Sequence, residues 1–292
     1  MDKAVGKILL AAGENAEARI KANTGKQRAK GKIDVEGLYR TEEERRKLEN
    51  RAATVRVAVD ELSEKPSRED AKEEIDDDWL NLYARLAEDK TSEELQSLFG
   101  KILAGELRGP GTFSLRTLQL VSTMSRDDAH RIAEFFSFVM AGSMVPVLGD
   151  LNEEIKPGLN SRILMEELGI ATSANPIGGL SLTFEFGPHS RSPIAGSGVG
   201  IVIANDTDIA VKVQIECQVL TSPGRELIAI ANPEKPPLEY LKALAKKVFE
   251  IIRSERAADL RGGKIRVAAV QFLAGSHGQQ TQEIYVPTDP QT

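Results

Sequence analysis

Cysteine is almost absent: Cys217 is the single one among 292 residues, so no internal disulfide can form. It lies in a β-branched run that alternates apolar and polar, the setting of a buried structural thiol and not of a nucleophile. Aromatic residues make up only 5% of the chain, and the three histidines, His130, His189 and His277, belong to separate stretches. No local spacing makes a zinc site or a catalytic triad of them. Long hydrophobic runs are missing too. The most apolar segment, Phe135 to Leu148, is interrupted by Ser137, Gly142, Ser143 and Pro146 and falls short of the ~20 residues that span a bilayer. The opening MDKAVGKILLAAGENAEARI has a short apolar patch, broken by Lys7 and followed by acids, which makes a poor signal peptide. A cytoplasmic location is the expectation. Positive charge is not in excess either. The net charge of −6 excludes whole-protein attraction to nucleic acid or anionic lipid and leaves only local patches. No P-loop, HExxH, GxSxG or CxxC pattern occurs, so no cofactor, metal or catalytic residue is assigned.

What the chain does have is an ordinary apolar content of 41% beside 28% charge, enough to bury a core. Its length suits two domains, or one domain with an extended arm. The charge is unevenly placed. Residues 20–58 carry Lys21, Lys26, Arg28, Lys30, Lys32, Arg40, Arg45, Arg46, Lys47, Arg51 and Arg56 against six acids, and residues 60–94 reverse this with fourteen acids against five bases. Lys26, Arg28, Lys30, Lys32, Arg45 and Arg46 are the candidate nucleic-acid contacts. The same asymmetry fits charge-paired helices in an oligomer. Thr41-Glu-Glu-Glu44 reads as a capping box opening a helix through about Ser63. Its apolar positions Leu48, Ala52, Val55, Val59 and Leu62 form a narrow near-heptad seam, which requires a partner helix. A homo-oligomer formed through this arm is the expected partner state. A solvated charged helix is the plain alternative.

Residues 76–124 are the most strongly patterned stretch. Asp76, Asp77 and Asp78 precede Trp79, where acids complement the positive end of a helix dipole. Trp79, Leu82, Tyr83 and Leu86 mark one helical face. Thr91-Ser-Glu-Glu94 is a second capping box, opening a helix with Leu95, Leu98, Phe99, Ile102 and Leu103 inward. The Gly105–Gly111 run ends it. Ser114 caps a helix with Leu115, Leu118 and Val121 inward, and Ser125-Arg-Asp-Asp128 caps one with Ala129, Ile132, Ala133, Phe136, Val139 and Met140 inward. Short helices joined by tight loops imply a bundle. Arg116 stands out as a cation in a helix's first turn, where the dipole disfavours it. Pairing with the acids at Trp79 would staple the stretch together, so Asp76, Asp77, Asp78, Trp79 and Arg116 are the candidate hub. This run, from the acids before Trp79 through SEELQSLFGKILAGELRGPGTFSLRTLQLVSTMSRDDA, resembles the DUF2806 proteins over about residues 76–140. These are an uncharacterised bacterial family that also recurs in prophage genomes. A more distant likeness is to abortive-infection (phage-defence) proteins. Neither resemblance implies a reaction or catalytic residues.

Beyond it, residues 159–168 read as a helix ended by Gly169. Leu180–Phe186 alternates as a strand, Gly187–Gly198 is a Gly/Pro/Ser-rich loop, and strands at Val199–Ala204 and Ile209–Leu220 are expected to form a hairpin about Asn205–Asp208. Gly196-Ser-Gly-Val-Gly200 precedes a strand and opens no helix, so it reads as hairpin geometry and not as a phosphate loop. Thr221 caps a short helix with Pro223 in its first turn. The order is winged-helix-like over about residues 114–230. Its recognition helix has Arg162 alone against Glu166 and Glu167, a poor reader of DNA. Leu238–Leu260 is an amphipathic helix packing on a hairpin of Lys264–Leu273 and Glu283–Val286, before a frayed PTDPQT. The expected class is therefore α+β. It comprises a charged arm (1–72), a central bundle (73–158), a β-rich winged-helix-like part (159–232) and a C-terminal helix with strands (233–292). The expected function is that of a cytosolic, self-associating, non-enzymatic protein acting through protein contacts, in a prophage or phage-defence setting. The alternatives are a nucleic-acid-binding regulator and an enzyme whose site forms only in the fold, around Asp76–Asp78, Arg116 and Asp127.

Overall fold

Residues 35–64, 75–149, 157–173, 180–275 and 278–288 are described by the computed structural model, and they fall into two units divided between Ala129 and His130. The helices are α1 (Val35–Glu64), α2 (Asp77–Ala87), α3 (Glu93–Arg108), α4 (Leu115–Thr123), α5 (Arg126–Phe136), α6 (Leu159–Glu167), α7 (Ser222–Ala231) and α8 (Leu238–Arg261). The strands are β1 (Met144–Pro146), β2 (Ala171–Thr172), β3 (Leu180–Phe186), β4 (Ser190–Ala195), β5 (Val199–Asn205), β6 (Val211–Leu220), β7 (Ile265–Gly275) and β8 (Gly278–Tyr285). The α+β class holds. The four segments read from the sequence are grouped differently by the contacts, and β5 and β7, on opposite sides of residue 232, are paired neighbours in one sheet.

In the first unit, α1 starts before its expected cap, so Thr41 lies inside the helix. Only Gly37 disfavours helix between Val35 and Arg40, and one glycine costs about 1 kcal/mol, too little to delay the start. The buried row is Asn50, Thr54, Ala58 and Leu62 with Val55, whereas Val59 is 41% exposed. The face is thus rotated from the apolar seam, because its polar members find partners. Asn50 Nδ2 donates to Glu88 O at 2.8 Å, Gln96 Nε2 donates to Asn50 Oδ1 at 3.3 Å, and Thr54 Oγ1 donates to Arg51 O at 2.9 Å. The partner helix is the chain's own α3. At Gly100 a Cβ would stand 2.5 Å from Val57 Cβ and 2.8 Å from Thr54 O, so the close approach of α1 requires glycine there.

The following helices appear where their patterns place them, with small shifts. Ser92, not Thr91, caps α3, its hydroxyl accepting from Leu95 N. Ser125 and Asp128 form a reciprocal box, Ser125 N donating to Asp128 Oδ2 at 2.9 Å and Asp128 N to Ser125 Oγ at 3.1 Å. Helix α5 stops at Phe136 and buries Ile132, Phe135 and Phe136, with Ala133 exposed. Leu115 is also exposed, while Leu118 and Val121 are buried as expected.

The second unit holds two four-stranded sheets. In one, β6 is central, pairing with β1 as well as with β2 and β3; the other runs β4-β5-β7-β8. The expected β5–β6 hairpin is not formed. Phe186 pairs with Val211 and Ser190 with Asn205, so β3–β4 and β5–β6 are the two arms of one long hairpin that bends from sheet to sheet. The bend is held by Asn205, which is fully buried. Its Nδ2 donates to Phe186 O, Gly187 O and Ile209 O at 3.2, 3.0 and 2.9 Å. Its Oδ1 accepts from Thr207 N at 3.2 Å and Thr207 Oγ1 at 2.7 Å. An Asx-type turn therefore bridges both arms where a two-residue hairpin turn was expected. The Gly/Pro/Ser-rich stretch 187–198 contains β4, in which exposed Pro193 is tolerated because β4 is a sheet edge. The expected winged-helix-like module of residues 114–230 does not emerge as one body, since α4 belongs to the first unit and the wing strands are divided between sheets. Cys217 is buried on β6, and burial pushes its thiol up to about 11. Helix α8 buries Tyr240, Leu241, Leu244, Ala245, Val248, Phe249 and Ile252 and packs against β5, β6 and β7, so it serves both sheets.

Removing the bend's central amide leaves several buried backbone groups unpaired, each costing about 1–3 kcal/mol. Asn205→Ala is therefore expected to destabilise the second unit by about 3 kcal/mol, read as a lowered denaturant midpoint, whereas Asp208→Ala, an exposed position, should shift it by less than about 0.5 kcal/mol.

Candidate functional site

Two helix N-termini meet in the first unit. Asp76 caps α2, its Oδ1 accepting from Trp79 N at 2.9 Å, and Ser114 caps α4, its hydroxyl accepting from Thr117 N at 3.3 Å. Between them lies an open depression of about 480 Å³ lined by Asp76, Asp78, Trp79, Glu106, Pro110, Gly111, Phe113, Ser114 and Leu115. Of the expected hub residues, Asp76, Asp78 and Trp79 line this depression and Asp77 does not. The structure leaves Arg116 and Asp127 off the depression's lining as well.

The side chain that organises this place is Glu106, which sequence reasoning missed. It is 2% exposed. Its Oε1 accepts from Gly111 N at 2.6 Å and its Oε2 from Phe113 N at 2.9 Å. Both carboxylate oxygens are thus spent on the Gly-rich turn, where Gly111 adopts φ +84°, a conformation open to glycine. Trp79 closes the arrangement from the other side, its indole Nε1 donating to Phe113 O at 2.7 Å. Trp79 stacks on Tyr83 at a ring separation of 5.3 Å, and the Tyr83 hydroxyl donates to Phe99 O at 3.1 Å. Burial pushes the Tyr83 phenol well above its usual range, so it serves as a fixed donor. The signal for Glu106 was available in the sequence. It continues the row Phe99, Ile102, Leu103 on α3, an acid on an apolar face just before glycines whose amides need acceptors.

The staple expected from Arg116 is not formed. Arg116 is exposed, and among the described residues no ion pair joins it to Asp76, Asp77 or Asp78. Trp79 and Glu106 join the two ends of the stretch in its place, because a buried hydrogen bond outweighs a solvent-screened ion pair. Asp77 and Asp78 are exposed in the first turn of α2, where the helix dipole accounts for them.

Of the candidate nucleic-acid contacts, Lys26, Arg28, Lys30 and Lys32 lie outside the described residues. Arg45 is paired along α1 with Glu42 at 2.5 Å and Glu49 at 3.2 Å. Lys47 reaches Glu43 at 3.2 Å and Glu88 at 3.5 Å, and Arg51 also pairs with Glu88. Arg46 and Arg56 are exposed. Much of the basic face of α1 is therefore charge-compensated within the chain. His130 is exposed on α5, and His189 Nε2 lies 3.0 Å from Asp208 Oδ1 at the hairpin bend. Among the described residues no group of three His, Cys, Asp or Glu side chains converges as metal ligands would, and no helix is long and apolar enough to cross a membrane.

Residues 38–154 match the family model described as a protein of unknown function, DUF2806. The chain carries a DUF2806 region. It runs from α1 through α5 into β1 and contains the whole depression with the Glu106 and Trp79 contacts. No curated protein and no solved structure matches the chain.

If Trp79 and Glu106, not Arg116, tie the DUF2806 region together, two substitutions separate the accounts. Trp79→Phe keeps the stacking but leaves Phe113 O without its donor, with an expected cost of about 1–3 kcal/mol. Arg116→Ala is expected to change stability by less than about 0.5 kcal/mol. Urea unfolding followed by circular dichroism reads both.

Proposed function

We propose that this DUF2806 protein is a cytoplasmic, self-associating binding protein that works through protein contacts and has no reaction centre of its own. The observation that carries the reading is the occupancy of the depression. Asp76, Ser114, Glu106 and Trp79 each hold a backbone group of the same chain, so the groups that would act as acid, base or nucleophile serve as caps and turn holders. General acid–base chemistry needs a carboxyl or hydroxyl within reach of a substrate proton, and of the carboxyls lining the depression among the described residues Asp78, in solvent at the rim, is the one that holds no backbone group.

Exposed apolar side chains support protein contact as the mode of action. On α6, Leu159 is 59% and Ile163 44% exposed at a spacing of one helical turn, and apolar side chains that share an exposed face favour a covering surface. The family resemblance is the support for a prophage or phage-defence setting. A nucleic-acid-binding role draws support from Arg46 and Arg56, which are exposed on α1. The internal pairing of Arg45, Lys47 and Arg51 counts against it.

Sedimentation velocity on the full chain tests the reading. A weight-average mass that rises from 31.8 kDa with concentration is expected. A single monomeric species up to millimolar concentration would contradict it. Binding to duplex DNA or RNA that persists at ~0.2 M salt, and weakens on Arg46→Ala, would favour the nucleic-acid reading.

A further inference from the structure

The two edges of the β4-β5-β7-β8 sheet are built differently. At one edge β4 carries Pro193 and the exposed Arg191, both devices that keep a strand from recruiting another. At the other, β8 pairs only with β7 among the described residues. It is eight residues long, with the sequence GQQTQEIY, without proline or lysine. Its one charge, Glu283, is held by Arg266 of the neighbouring strand at 3.1 Å.

The register shows which backbone groups this edge offers. Phe272 N donates to Gly198 O at 2.9 Å, toward β5 and away from β8. Phe272 pairs with Thr281, and Val270 with Glu283; beyond this pair a β-bulge at Ile284 shifts the register, so Tyr285 lies opposite Ala269 and the regular open edge ends at Glu283. In an antiparallel ladder the residue opposite one that turns away also turns away. Thr281 and Glu283 therefore present their N–H and C=O groups to the open edge, while Gln282 bonds to β7.

We propose that β8 pairs antiparallel, edge to edge, with β8 of a second copy of the chain; this rests on the self-association reading and names its surface. Placing Thr281 opposite Glu283 of the other copy puts Gln282 opposite itself on the two-fold axis. The outward N–H and C=O of Thr281 and Glu283 then meet those of Glu283 and Thr281 of the other copy. Amide faces amide at the centre, and Glu283, already compensated by Arg266, faces a hydroxyl and not a like charge. A pairing centred on Glu283 would oppose two carboxylates, which cross-strand energetics disfavour. The pairing is isologous, so it closes at two copies and does not propagate. Side chains at a non-hydrogen-bonded antiparallel position stand closest together, so residue 282 controls the interface without touching the protomer's core.

The test uses three full-length variants in sedimentation equilibrium, with thermal unfolding as a control for the fold. Gln282→Lys places like charges on the axis and is expected to weaken association about fivefold. Gln282→Glu does the same, and mixing the two restores a heterodimer. Thr281→Pro removes an outward N–H and no β7–β8 bond, and is expected to be monomeric with its unfolding midpoint retained. If the wild type associates and all three variants associate equally well, the β8 interface is overturned while self-association stands. If the wild type is monomeric throughout, both fall. Failure of the Gln282→Lys and Gln282→Glu mixture to associate, when each alone is monomeric, also overturns the β8 pairing.

Discussion

The first unit depends on one buried carboxylate. Glu106 enters the interior on the apolar face of α3 and can remain there only if both oxygens are hydrogen-bonded, since an unpaired buried charge costs several kcal/mol. The amides of Gly111 and Phe113 meet that requirement. In doing so they fix the Gly-rich turn and with it the start of α4. Trp79 then reads the position of that turn through Phe113 O, so α2, α3 and α4 are set by one connected group of contacts. Helix α1 joins through a second polar group, in which Asn50, Gln96 and Glu88 determine its rotation and Gly100 its distance.

The second unit uses the same device at a different place. Asn205 is buried at the bend of the long hairpin and supplies the backbone bonds that the two ladders lose there. In both units a buried polar side chain stands where the chain must turn inside the fold, and backbone groups away from water need partners. Apolar burial supplies the bulk of stabilisation, while Glu106 and Asn205 select the one arrangement in which all of these groups are paired.

Much of the helical unit was legible because its determinants are local. Ser114 and the Ser125–Asp128 box cap helices through contacts three residues apart, and the 3.6-residue rows of α2 to α4 mark their buried faces. Long-range choices were hidden. Asn205-Asp-Thr-Asp has the composition of a hairpin turn, and nothing local tells that β5 and β6 enter different sheets, because pairing is decided by the neighbour of each ladder. The apolar residues of α1 mark one seam, yet the buried row includes Thr54, which bonds to Arg51 O, and Asn50, whose acceptability depends on Glu88 and Gln96 far along the chain. The site was legible at the start of α2, in exposed Asp76 and Asp78 and buried Trp79, and hidden in the carboxylate that holds its turn. Arg116 attracted notice as an electrostatic exception, whereas Glu106, inside an otherwise regular helical row, decides the geometry.

These contacts make the DUF2806 stretch of this chain a folded hub in which buried Glu106 and Trp79 are committed to its own backbone. Native-state amide hydrogen exchange at Gly111 and Phe113 tests that claim most directly. The account predicts that both amides exchange as slowly as those of the α3 interior, through global unfolding of the unit, although they lie in a Gly-rich turn. Exchange of either amide at the rate of an exposed loop would contradict it.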